Sequence, residues 1–258
     1  MSKKLFKHVH ASDVRGLAQL ATAATTGVVA IAEGVHQSVL KALGIPGGGV
    51  VSLVYQSVHA VTNLVGKSVD TLLAGLQPVL ETRKGTPQRE AAVAILNGVL
   101  GDRLEASHNP LAIPMTLRYR GEALDWAALP EDFQSAGKVL LMIHGLCMND
   151  LQWCARHQGR TVDHGQALAA ATGSVPLYLR YNSGRHISQN GHELSLQLEQ
   201  LVTHWPRPLE ELIVVTHSMG GLVARSASHY ARLEGMSWLQ HLRKLVFLGT
   251  PHHGAPLE

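Results

Sequence analysis

The residues best suited to chemistry are Val214-Val215-Thr216-His217-Ser218-Met219-Gly220-Gly221. An apolar run from Leu212 to Val215 leads directly into Ser218, and a helix-compatible segment follows at once. A serine held at a sharp strand-to-helix turn exposes its hydroxyl at the tip, where it can attack an electrophilic carbon. The backbone of such a turn is strained, so the residues two before and two after the serine must be small. Gly220 meets that demand; Thr216 stands where a glycine is usual and meets it poorly. The N–H of Met219 is placed to donate to an oxyanion forming at Ser218, and the helix starting near Gly220 adds its positive end. His217 adjoins the serine, but neighbouring residues on such a turn point apart, so it is not expected to act as the base.

Two flanking segments extend the pattern. Val139-Leu140-Leu141-Met142-Ile143 reads as a buried parallel strand and ends in His144-Gly145-Leu146. Leu245-Val246-Phe247-Leu248 reads likewise and ends in Gly249-Thr250-Pro251-His252-His253-Gly254. Over residues 114–258 the chain resembles the α/β-hydrolase superfamily, and within it the bacterial lipases and esterases and the GPI inositol-deacylase-like group. That resemblance implies a serine-dependent ester hydrolase working through an acyl-enzyme at Ser218. It implies a second oxyanion donor in the N–H of Leu146, with His144 and Gly145 fixing that loop and His217 and Gly220 supporting the turn. His252 and His253 would lie beside the site and outside the triad. Ester or lipid is the implied substrate, with no cofactor. The resembled fold carries its acid and then its base after two further strands. Glu258 follows the strand after the one leading to Ser218, where a minority of lipases place their acid. The expectation is an α/β-hydrolase domain that is C-terminally incomplete and needs residues beyond Glu258 for activity. The alternative is a catalytically inactive relative that binds a partner or a lipid.

Composition narrows the classes. A formal net charge of +3 with no basic block or aromatic-interleaved stripe argues against nucleic acid. Lys3, Lys4 and Lys7 read as a solvated terminus. The two cysteines, Cys147 and Cys154, make no disulfide framework, and their C-x6-C spacing is not a common zinc pattern. The sixteen histidines are scattered without H-E-x-x-H, and His192-Glu193 has no partner histidine in register, so no metal is expected. Gly16 to Ala32 is uncharged but short and weakly hydrophobic for a membrane span. Ala30-Ile31-Ala32 looks like a cleavage site, yet the charged lead-in through Arg15 is atypical of a signal peptide. A reduced, cytoplasmic setting is the expectation.

The elements around these motifs divide the chain into a helical appendage over 1–85 and a hydrolase domain over 86–258. Residues 12–82 read as two helices broken by the Gly44–Gly49 loop, with Val51, Val54, Val58, Val61 and Val65 forming a heptad-like seam. Such helices offer a surface for lipid or a partner, or pack as core; valine-rich seams favour packing. A helix starting at Thr86-Pro87 should bury Ala92, Ile95, Leu96 and Val99 and end at Gly101. From Pro114 the period switches to two, with Met115, Leu117 and Tyr119 on one face of an edge hairpin turned at Gly121. A strand over Val175–Arg180 and a helix over His192–Trp205 burying Leu194, Leu198, Leu201 and Val202 precede the Ser218 strand. This alternation implies a mostly parallel sheet with helices on both faces. The loop from Asn182 to Asn190, with Arg185 and His186, follows a strand end and can border a pocket.

Overall fold

The computed structural model describes isolated positions between residues 12 and 20 together with residues 86–157 and 160–254. The chain forms two compact units, one of residues 1–86 with 109–111, the other of 87–108 and 112–258. In the first, residues 12, 13, 15, 16 and 18–20 are helical, and the Asn109 amide donates to the Gly16 carbonyl at 3.0 Å. The rest of the expected helical pair over 12–82 lies outside the described residues. Among the described residues, no helix is long and apolar enough to cross a membrane.

The second unit is built on a six-stranded sheet in the order β2-β1-β6-β3-β7-β8. Its strands are β1 (Thr116–Tyr119), β2 (Glu122–Ala123), β3 (Lys138–Ile143), β6 (Val175–Arg180), β7 (Glu211–His217) and β8 (Leu242–Leu248). β6, β3, β7 and β8 run parallel, and β1 joins β6 antiparallel with Leu117 opposite Leu179. Its α-helices among the described residues are α1 (Pro87–Ala106), α2 (His164–Thr172), α3 (Ile187–His204) and α4 (Gly220–Glu234). The mostly parallel α/β sheet with helices on both faces is thus present.

Alternation along the strands divides the core. Val139, Leu141, Ile143, Leu177, Leu179, Leu212 and Val214 face α3 and α4, meeting Leu194, Leu198, Leu201, Val223, Ala224 and Ala227. Leu140, Met142, Tyr178, Ile213 and Val215 face the other way, toward Trp153 and Ala169 of α2. A strand covered on both faces cannot alternate apolar with polar, so β3 reads as a continuous apolar run. Ala224, Ala227 and Ala231 on α4 are buried, and their small side chains let the helix lie close to the sheet. Val202 is only half-buried, against the same core.

Several elements differ from the sequence reading. α3 begins at Ile187, five residues early, and β8 begins at Leu242. A small hairpin of β4 (Cys154–His157) and β5 (Arg160–Asp163) lies where no element was expected. The largest correction concerns α1, which runs through Gly101 to Ala106 with non-helical angles at Leu100. Its buried residues are Ala94, Asn97, Gly101 and Leu104. Ala92 is exposed, Leu96 half-buried, and Ile95 and Val99 are 55% and 69% exposed. The reason is polar. Asn97 accepts from the Ile113 amide at 2.9 Å, and the Asn182 side chain donates to the Gly101 carbonyl at 2.9 Å. These bonds, with the small profiles of Ala94 and Gly101, turn that face inward against the apolar periodicity.

Candidate active site

β7 ends at His217 and α4 starts at Gly220, leaving Ser218 and Met219 for the whole reversal. Ser218 takes φ +51, a left-handed conformation uncommon for a residue with a side chain. Its amide donates to the Leu248 carbonyl at 2.9 Å and its carbonyl accepts from Gly221 at 3.1 Å, so the turn is pinned to the end of β8 and to α4. Gly220 is required where it stands. A Cβ there would lie 2.5 Å from the His144 carbonyl oxygen and 2.9 Å from that of Ile143.

Thr216 departs from the expected small residue without harm to the turn. It is fully buried, and its hydroxyl donates to the Val246 carbonyl of β8 at 3.0 Å. The side chain points into the sheet, where a partner strand satisfies its oxygen.

The loop after β3 meets this turn closely. A Cβ on Gly145 would come within 3.0 Å of the Ser218 Cβ and 3.3 Å of His217 Nδ1, so the absence of a side chain there allows the approach. Leu146, the next residue, is 49% exposed. Among the described residues, neither the Leu146 amide nor the Met219 amide has a hydrogen-bond acceptor, and the Ser218 hydroxyl has no hydrogen-bond partner. Stabilising a developing oxyanion needs backbone donors that are not already engaged.

His144 is fully buried. Its Nδ1 lies 2.9 Å from the Gly145 carbonyl, and its ring stacks on Tyr181 with centroids 4.4 Å apart. The Tyr181 hydroxyl donates to the His144 carbonyl at 2.8 Å. Burial pushes the His144 pKa down to about 4, so the ring is neutral near pH 7 and Nδ1 carries the proton it gives to Gly145. Its Nε2 is buried without a partner, as is His217 Nδ1. His144 therefore shapes the loop, and its ring makes no hydrogen bond to Ser218.

The structure brings together Ser218, Met219, Gly220, Gly145 and His217, with His144 beneath them. His252 makes its contacts with other residues. Its Nδ1 accepts from Arg225 of α4 at 3.0 Å, and its ring meets Phe247 edge-on at 4.7 Å. His253 is exposed. Glu258 lies outside the described residues. In the Asn182–Asn190 loop, Arg185 pairs with Glu105 and Glu193, and His186 is exposed at the start of α3. In the same loop Asn182 and Ser183 are buried. The Ser183 hydroxyl accepts from the Cys147 amide at 3.0 Å. Ser183 carries no sequence signal, because its relevance comes from a contact thirty-six residues away. Among the described residues, no group of three or more His, Cys, Asp or Glu is arranged to hold a metal.

A family model described as a PGAP1-like alpha/beta domain matches residues 134–258. Two solved structures are similar over part of their length. The mature form of the Bacillus licheniformis lipase BlEst2 is 21% identical with a TM-score of 0.37, over 48% of this chain and 44% of that one. Its propeptide form is 22% identical with a TM-score of 0.37, over 47% and 24%. The chain thus spans less than half the length of the lipase structures it matches. No curated protein matches it.

Proposed function

We propose that the protein is a serine-dependent carboxylic ester hydrolase of the lipase or esterase type, a reading supported by the match of residues 134–258 to a PGAP1-like alpha/beta domain. The observation that carries the reading is the left-handed backbone of Ser218, φ +51, facing a loop whose Leu146 amide is unengaged. Strain of that kind costs on the order of 1–3 kcal/mol and persists where the surroundings impose it.

In the proposed reaction the Ser218 Oγ attacks the ester carbonyl carbon while a general base takes the hydroxyl proton. The carbonyl oxygen becomes an oxyanion between the Leu146 and Met219 amides, and the alkoxide leaves with that proton as an alcohol. Water then repeats the sequence on the acyl-enzyme and releases the acid, restoring Ser218. Each well-placed oxyanion donor is worth about 3–4 kcal/mol in the transition state. The base and its orienting acid are not assigned to any described residue, since none bonds the Ser218 hydroxyl.

The test is hydrolysis of p-nitrophenyl acyl esters by the full-length protein, with mass-spectrometric mapping of fluorophosphonate labelling. Label is expected on Ser218, and Ser218→Ala should lower kcat by at least ~10³-fold, as removal of a nucleophile does. A Ser218→Ala protein as active as wild type sinks the reading. A wild-type protein without turnover or label favours a non-catalytic role in binding a lipid or a partner.

A further inference from the structure

The stretch matching the PGAP1-like alpha/beta family model begins at residue 134, and α1 precedes it, yet α1 touches the loop that carries the Leu146 amide. From these contacts we propose that α1 and the Asn182–Gly184 turn brace the oxyanion loop, with Ser183 and Gly98 as positioning residues that set the direction of the Leu146 N–H. The proposal rests on the esterase reading given above.

The loop is held at both ends. At one end Gly145 packs against the Ser218 Cβ. At the other, Cys147 adopts φ +58, a conformation that costs a side-chain-bearing residue about 1–2 kcal/mol. Three contacts impose it. The Cys147 amide donates to Ser183 Oγ at 3.0 Å. Its Sγ lies 3.9 Å from the Ile95 carbonyl of α1. Its backbone lies so near Gly98 that a Cβ there would fall 2.9 Å from Cys147 N and Cα and 2.2 Å from Sγ. Between the two fixed ends, the Leu146 amide has no acceptor among the described residues.

The brace is itself anchored. Ser183 is only 2% exposed, so its hydroxyl does not exchange its bond for bulk water. The turn that carries it lies flat on α1: a Cβ on Gly184 would meet the Asn97 carbonyl oxygen at 2.1 Å. Asn182 donates to the Gly101 carbonyl at 2.9 Å and accepts from Gly184 N at 3.2 Å. Asn190 of α3 donates to the Asn182 carbonyl at 2.9 Å. The non-helical angles at Leu100 fall between Gly98 and Gly101, where the helix meets these partners. A donor aimed before substrate arrives needs no reorganisation during reaction, which is where oxyanion stabilisation gains its strength.

The experiment compares the full-length wild type with Ser183→Ala, which removes only the acceptor oxygen, and Gly98→Ala, which pushes on the Cys147 backbone. Readouts are the rate of fluorophosphonate labelling at Ser218, kcat and KM for p-nitrophenyl butyrate, and the thermal midpoint. Because a displacement of about 1 Å costs up to ~10²-fold, labelling and kcat should fall roughly 10- to 100-fold in both variants. KM should stay within about twofold, because the lost interaction belongs to the transition state. Ser183→Ala labelled and turning over at the wild-type rate overturns the brace, as does a loss of activity that only tracks unfolding. If the wild type is not labelled at Ser218, the esterase reading fails first and the brace falls with it. If Ser218 is labelled and Ser183→Ala is unaffected, the brace alone is wrong.

Discussion

Strain and burial concentrate on a few side chains around Ser218, and His144 is the one with a measurable signature. Its folded-state pKa of about 4 lies below the ordinary 6.5 because burial penalises the imidazolium. The unfolded chain therefore binds this proton more readily than the folded one. Above about pH 6.5 the group costs nothing. As pH falls from 6.5 toward 4, stability is lost progressively, and below about 4 the loss levels off. The full effect is on the order of 3 kcal/mol, from the shift at 1.36 kcal/mol per unit. Urea unfolding at pH 7 and pH 4.5 should show the decline in wild type and a shallower one in His144→Gln. An identical slope in both would remove His144 as the source. Thr216 teaches the same lesson in reverse: a residue that looks wrong for a tight turn is accommodated because the Val246 carbonyl receives its hydroxyl.

At the scale of elements, α1 separates apolar character from burial. Its outward stripe of Ile95 and Val99 is exposed, while the helix docks through Ala94, Asn97, Gly101 and Leu104. Leu104→Ala should destabilise the second unit by about 2–5 kcal/mol, as large-to-small core changes do. Val99→Asp should change it by no more than about 0.5 kcal/mol. Chemical unfolding of both variants checks the assignment, and a Val99→Asp loss as large as that of Leu104→Ala would reverse it. The second half of the domain is simpler. α4 packs its alanine face on the sheet and ends at Gly235, φ +67, whose left-handed backbone closes the helix. α3 is tied to the segment after α4 through Glu199, which accepts from the Ser237 hydroxyl at 2.7 Å and the Trp238 amide at 3.0 Å.

Across the whole second unit, the sheet is protected unevenly. β3 is paired on both sides, by β6 and β7, and buried on both faces. Among the described residues β8 pairs with β7 alone, and along it half-buried and exposed residues are mixed, with Val246 39% and Leu248 43% exposed. Native-state hydrogen exchange should therefore find the β8 amides less protected than those of β3. Equal protection in the two strands would mean that the sheet opens as one unit. The Ser218 amide bonds to Leu248 at the end of β8, so the serine turn shares the stability of an edge strand less protected than β3.

Much of this unit was legible in order along the chain. The apolar runs of β3, β6 and β7, the hairpin at Gly121 and the serine turn are local patterns, fixed by backbone period and by which residues tolerate a sharp reversal. The segments Cys154–His157 and Arg160–Asp163, and α2 after them, were not legible, because their sequence lacks a clean period. Only the tertiary structure decided which face of α1 is buried, what satisfies Thr216, and which residues hold the Leu146 loop. Those outcomes depend on contacts such as Cys147 with Ser183 and Gly98, and Thr216 with Val246, between residues far apart in the chain. A sequence specifies which groups must be satisfied or buried; the packing of distant segments selects the partners.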